Sequence, residues 1–157
     1  MTTDCTVRPA RPEDARRLAE LRWIFKEEDH EGQAPASARS PEEAERWIRD
    51  RLDGGHWPAW VAETGDGICA HVFLCLVERL PEPYGDNLPT GYVTNFFVTP
   101  PRRNRGTGSA LLEALTLHAR GAGFESLIVW PSDRSGPLYR RSGFQPSEEL
   151  LELPLDT

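Results

Sequence analysis

Gly91-Tyr92-Val93-Thr94-Asn95-Phe96-Phe97-Val98-Thr99-Pro100-Pro101-Arg102-Arg103-Asn104-Arg105-Gly106-Thr107-Gly108-Ser109-Ala110-Leu111-Leu112 joins a strand, a basic turn and a helix. Gly91 to Thr99 is rich in β-branched and aromatic residues, and Pro100-Pro101 cannot continue a ladder. The helix, predicted over Gly106 to Arg120, sets Ala110, Leu111, Leu112, Ala114, Leu115 and Leu117 on its buried side, and Gly121-Ala122-Gly123 stops it. The first N–H groups of a helix lack intrahelical partners and sit at the positive end of its dipole. Glycines there let a ligand approach the backbone. With arginines alongside, this is a cradle for a phosphate or pyrophosphate. A P-loop would need a Lys before Ser/Thr, which is missing, and a dinucleotide fingerprint would need a third Gly where Leu111 stands. R-x-x-G-x-G remains, from Arg103 through Gly106 to Gly108. A helix start whose glycines only make a tight turn is the plainer alternative.

Outward from this stretch, Thr6 to Ala10 reads as a first strand, and Pro12-Glu13-Asp14 opens a helix running to Glu28–His30. Gly32 to Ala38 reads as a loop. Ser40-Pro41-Glu42-Glu43 has the form of a capping box starting a second helix to about Leu52. Trp57–Glu63 and Ile68–Glu78 flank Thr64-Gly65-Asp66-Gly67, a hairpin signal. The proline-rich stretch Leu80–Pro89 follows, able to wall one end of a site. Phe124–Trp130 reads as a buried parallel strand, Pro137–Ser142 as a short helix and Leu150–Leu153 as a last strand. The predicted order β-α-α-β-β-β-α-β-α-β is a mixed α/β fold in a single domain over 1–157.

Size and composition fit this. The chain has 157 residues, enough for one core, and its 18 basic against 25 acidic residues give a net charge of −7, which disfavours nucleic acid as a partner. No apolar run approaches the ~18 residues needed to span a bilayer, and the first residues lack a signal-peptide pattern, so no membrane partner and a cytoplasmic location are expected. The 3 cysteines lack C-x-x-C spacing and the 4 histidines are scattered, so no metal is expected.

The chain resembles the GNAT superfamily of acyl-CoA-dependent N-acetyltransferases. Val7–Ala15 looks like the family's opening strand and helix, Gly91–Pro100 like its central strand, Arg103–Leu112 like its pyrophosphate loop, and Leu138-Tyr139-Arg140-Arg141-Ser142-Gly143-Phe144 like its tyrosine segment. These four segments come in the family's order. The resemblance implies acetyl-CoA as acyl donor, bound by Arg103, Asn104, Arg105, Gly106, Thr107, Gly108 and Ser109, with pantetheine in a gap between the strands ending at Thr99 and Trp130. It also implies a bulge that leaves backbone donors near Phe97 and Val98 free for the thioester oxygen. Tyr139 would protonate or hydrogen-bond the leaving thiolate. Ser132, which stands where many members have Asn, is a further candidate for cofactor binding, although Pro137 delays the helix start to as late as Ser135, a departure from the family pattern.

Other roles are less constrained. Asn95 is a candidate to hold a catalytic water, and Glu27, Glu28, Asp29, Glu63 and His71 are candidate bases. Trp23, Phe25 and Trp130 are candidates to line the acceptor pocket, and Glu27 and Glu28 to attract a cationic amine. The leading expectation is acetyl transfer to a primary amine of a small, cationic molecule by direct attack in a ternary complex. A protein N-terminal or lysine acceptor and a non-catalytic acyl-CoA-binding module are the alternatives. The assembly is open between a monomer and a homodimer.

Overall fold

Five strands form one open sheet in the order β1-β2-β3-β4-β5, in a computed structural model that describes residues 5–31, 40–85 and 88–156. β1 (Thr6–Pro9), β2 (Ala59–Thr64), β3 (Gly67–Val77) and β4 (Thr90–Val98) pair antiparallel, and β5 (Ser126–Val129) joins β4 in parallel. A parallel neighbour needs a crossover, and α3 (Thr107–Gly121) supplies it.

Alternate residues of the strands serve two cores, one on each face. On one face Trp60, Ala62, Ala70, Val72, Leu74 and Val93 pack with Leu111, Leu112 and Leu115 of α3. On the other, Ala59, Val61, Ile68, Phe73 and Phe97 pack under α1 (Ala15–Asp29) and α2 (Pro41–Gly54). A 3-10 turn over Pro12–Asp14 precedes α1. Ser40 starts α2 by accepting the Glu43 N–H at 3.3 Å, with Pro41 in the first turn, and Gly55 ends it at φ 81°. At the sheet edge, Arg8 ties Asp14 and Glu63 together at 2.8 and 2.9 Å.

One expectation changes. No strand forms at 150–153; that tail is irregular, with Leu150, Leu151, Leu153 and Leu155 exposed. An alternating leucine pattern becomes a strand only beside a partner ladder, and Pro154 interrupts this one. The buried residues of α1 are Ala15, Leu18, Ala19 and Leu21, while Trp23 is half-buried and Ile24 exposed. The expected loop at 32–38 lies outside the described residues, as do positions 86 and 87 of the proline-rich stretch.

Candidate active site

β4 bends away from its neighbours where its own sequence adds a residue. His71 pairs with Phe97 but Phe73 with Thr94, so Asn95 and Phe96 oppose Val72 alone. Asn95 takes up the extra length at φ 54°, a left-handed conformation that Asn tolerates better than most residues. On the other side, β4 and β5 pair only from Thr90–Ser126 to Val93–Val129. Past that point a gap opens between them.

The donors facing this gap follow from the register. Thr99 donates its N–H to the Cys69 carbonyl at 3.0 Å, which makes Ala70–Val98 a non-hydrogen-bonded pair. The Val98 N–H therefore points away from β3, into the gap. Its carbonyl, on the same side, accepts Arg103 Nε at 2.9 Å.

The basic turn leads directly to α3. Asn104 at φ 62° and Gly106 at φ 82° reverse the chain, and the first intrahelical bond of α3 runs from the Ala110 N–H to the Gly106 carbonyl. The Thr107, Gly108 and Ser109 N–H groups thus lie before the ladder, at the positive end of the helix. A Cβ on Gly108 would stand 2.8 Å from Phe96 Cζ and 3.0 Å from Leu138 Cδ2, so only glycine lets the helix start come this close. A cavity of about 670 Å³ begins here, bounded by Phe96–Val98, by Arg102–Asn104, Gly106, Gly108 and Ser109, by Ser132–Ser135, by Pro137, Leu138 and Arg141 of α4 (Gly136–Arg141), and by Phe25, Glu28 and Asp29 of α1.

Several side chains do other work than expected. Arg103 is held on three sides: it donates to both oxygens of Glu28 at 3.0 Å, to the Val98 carbonyl, and lies 5.6 Å over the Phe97 ring. Glu28, expected at the acceptor lip, is gripped by Arg103 and also by Arg134, which together hold its carboxyl below the usual range. The Thr107 side chain is buried, with its hydroxyl 3.7 Å from Cys5 Sγ, so only its backbone faces the cradle. Arg105 is exposed and lies outside the cavity wall. Ser132 and Ser135 bond each other's hydroxyls at 2.9 Å, and the Ser132 carbonyl accepts the Gly136 N–H at 2.9 Å; the pair starts α4, where Pro137 fits without losing a bond.

Tyr139 is buried among Phe96 and Phe144, at ring separations of 5.9 and 5.2 Å. Burial, with a smaller contribution from Tyr92, pushes its pKa above the ordinary tyrosine value, so it stays a neutral phenol. On the α1 face, Trp130 is 56% exposed and stands edge-on to Tyr92 at 5.0 Å, while Phe25 stacks on Phe97 at 5.1 Å. Trp23 is half-buried and does not line the cavity. Glu27 is exposed. Asn95 Oδ1 accepts from Arg22 and its Nδ2 donates to Thr94 Oγ1 at 3.1 Å. Of the other candidate bases, Glu63 is tied to Arg8 at the sheet edge, and His71 is fully buried with no well-formed hydrogen bond at either ring nitrogen among the described residues. Burial lowers the His71 pKa to about 4, with Arg22 adding to the shift and the Asn95 backbone opposing it. Asp29 remains on the cavity wall.

A family model for the acetyltransferase (GNAT) domain matches residues 55–146, from before β2 to past α4. The chain belongs to the GNAT family of acetyltransferases. The acyl donor of GNAT enzymes is acetyl-CoA. Among solved structures, a predicted acetyltransferase from Clostridium acetobutylicum with acetyl-CoA is 25% identical, with a TM-score of 0.78 over 96% of both chains. An aminoglycoside acetyltransferase from an uncultured soil metagenomic sample, in complex with trehalose, shares the fold at 15% identity, with a TM-score of 0.73 over 98% of this chain and 96% of that one. Glucosamine-6-phosphate N-acetyltransferase from Arabidopsis thaliana does so at 18% identity, with a TM-score of 0.70 over 97% and 99%. No curated protein sequence matches the chain significantly. Arg134, on the cavity wall, and Arg22, which bonds Asn95 at the bulge, escaped the sequence reading. Only Arg22 left a signal there, a charge at i+4 from Leu18 and i+7 from Ala15.

Proposed function

We propose that this GNAT protein is an N-acetyltransferase that moves the acetyl group of acetyl-CoA to a primary amine of a small molecule, by direct attack in a ternary complex. The observation that carries this is the gap between β4 and β5, into which the Val98 N–H points at one end while the α3 N-terminus stands at the other. Acetyl-CoA supplies an acyl group activated as a thioester. The N–H groups of Thr107, Gly108 and Ser109, with Asn104 and Arg141 nearby, suit a pyrophosphate, and the walls at Phe96, Phe97 and Leu138 suit the pantetheine arm. The Val98 N–H donates to the acyl oxygen as negative charge develops there.

Tyr139 acts on the departing sulfur. A thiol has a pKa near ~8.5 and Tyr139 lies above ~10, so full proton transfer to the thiolate is uphill and the phenol acts as a hydrogen-bond donor. Asn95, anchored by Arg22, orients the amine or its water, and Phe25, Tyr92 and Trp130 supply apolar surface. The amine arrives as an ammonium drawn by the charge of Asp29 and Glu27 near the end of α1, gives one proton through water to solvent to free its lone pair, attacks the acyl carbon, and loses a second proton as the C–S bond breaks and the thiolate leaves. The whole chain serves as one catalytic domain in the cytoplasm; among the described residues no helix is long and apolar enough to cross a membrane.

The test is thiol release from acetyl-CoA with a panel of amines, with the acetylated product identified by mass and initial velocities separating ternary-complex from ping-pong kinetics. Acetyl-CoA should also raise the thermal midpoint by mass action. No shift at millimolar CoA, or no thiol release with any amine, overturns the assignment.

A further inference from the structure

Arg22 occupies a place where the helix pattern calls for an apolar residue. Ala15, Leu18, Ala19 and Leu21 form the buried side of α1, and Arg22 lies at i+7, i+4 and i+3 from the first three. Its side chain is desolvated enough to lower its pKa, and its one hydrogen bond among the described residues goes to Asn95 Oδ1. Four of the five N–H donors of a guanidinium are then left over. Lys26 follows one turn later, its Nζ 4.8 Å from the Phe25 ring, its pKa lowered by burial and by the Arg22 charge while Asp29 opposes.

No carboxylate neutralises Arg22 among the described residues. Glu28 is committed to Arg103 and Arg134, while Asp14 and Glu63 are committed to Arg8. His71, on the same face, is held neutral by burial. A partly buried cation without an anion is costly, and a bidentate carboxylate is the group its planar fork matches best. Arg22 crosses from α1 to Asn95 at the bulge of β4, the residue before Phe96 and Phe97 of the cavity wall, whereas the anion cradle is the N-terminus of α3. The cation therefore stands at the bulge and not in the cradle.

We infer that Arg22, supported by Lys26, is a carboxylate subsite, so that the acceptor amine carries a carboxylate in the same small molecule, as an amino acid does. This rests on the acetyl-transfer reading above and adds the substrate class to it.

The experiment compares kcat/KM, at saturating acetyl-CoA, for amines identical except that one carries a carboxylate and the other a carboxamide. The carboxylate should be favoured by at least about tenfold. Arg22→Gln should erase the preference, lowering kcat/KM about 10- to 100-fold more for the carboxylate than for the carboxamide, since any loss through Asn95 is common to both amines, with CoA affinity unchanged. Arg22→Lys should restore part of it. Independently of turnover, calorimetry should detect the N-acetylated carboxylate binding to wild type with CoA present, and its carboxamide binding at least tenfold more weakly. Equal use of the two amines, an unchanged preference in Arg22→Gln, or equal binding of the two products overturns the subsite. If Arg22→Gln instead impairs only succinyl-CoA as donor, the carboxylate belongs to the acyl chain and the acceptor assignment falls. Thiol release confined to amines without a carboxylate removes the subsite and leaves acetyl transfer standing; no thiol release with any amine removes both.

Discussion

Glu28 holds the guanidinium of Arg103 through two bonds of 3.0 Å while a second arginine, Arg134, reaches the same carboxylate from the far side of the cavity. The end of α1 is thereby tied to the β4–α3 turn and to the loop before α4. Since Arg103 and Arg134 both border the anion cradle, Glu28 competes with phosphate oxygens for them. Glu28→Gln should strengthen CoA binding severalfold and steepen its salt dependence, at a stability cost of about 1 kcal/mol because the pair is partly exposed. Calorimetric titration at two salt concentrations checks this. Weaker CoA binding in Glu28→Gln would show that the tie positions the loops rather than competing for them.

Tyr139→Phe removes one hydroxyl from a packed aromatic cluster. The fold and CoA affinity should persist, while kcat falls at least about tenfold under chemistry-limited conditions. Because Tyr139 remains a phenol, the wild-type kcat profile should show no loss from its ionisation up to pH 10. Full kcat in the variant means the sulfur departs unaided.

Gly108→Ala sets a methyl group against Phe96 and Leu138, both on the cavity wall. Displacing packed side chains costs about 1–3 kcal/mol, and the same displacement narrows the cavity. KM for acetyl-CoA should rise more than the midpoint of denaturation falls. An unchanged KM would mean that the donor does not pass this point.

His71 makes stability depend on pH in a defined window. Its folded pKa of about 4 lies below the ordinary 6.5, so as pH falls from 6.5 towards 4 the unfolded chain takes up a proton that the folded chain refuses. Stability should drop by on the order of 3 kcal/mol across that window. Asp14, Glu28 and Glu63, whose pKa values are lowered by their arginines, add losses only as the pH falls below the ordinary carboxylate range. Urea titrations of wild type and His71→Leu check this, since the variant should be nearly flat between pH 6.5 and 5.

What was legible in the sequence is what local chemistry fixes. Pro100-Pro101 stops β4, Gly106 starts α3, and Ser40-Pro41 starts α2, each within a residue or two of the expected place. The site was less legible because its polar partners are distant in sequence. Glu28 meets Arg103 across 75 positions and Arg134 across 106, and Arg22 meets Asn95 across 73. An acidic run such as Lys26-Glu27-Glu28-Asp29 cannot show which of its members an arginine elsewhere will claim. The bulge itself was expected from the family resemblance, but its place at Asn95 was hidden, because that is defined by the count of residues on β3 as much as by β4 itself.

The short β4–β5 ladder has a consequence for the order of assembly. β2, β3 and β4 follow one another along the sheet by antiparallel pairing, whereas β5 must return through the whole of α3 to gain four ladder pairs. Loop closure before reward makes that last docking slow. The half carrying β5 and α4 should therefore join late and open first, at a free energy below global unfolding. In hydrogen exchange, amides of β5 and α4 should exchange ahead of those in β3. Because the gap lies along this seam, a ligand spanning it would act as a staple, slowing exchange in β5 and α4 far more than in β2 and β3.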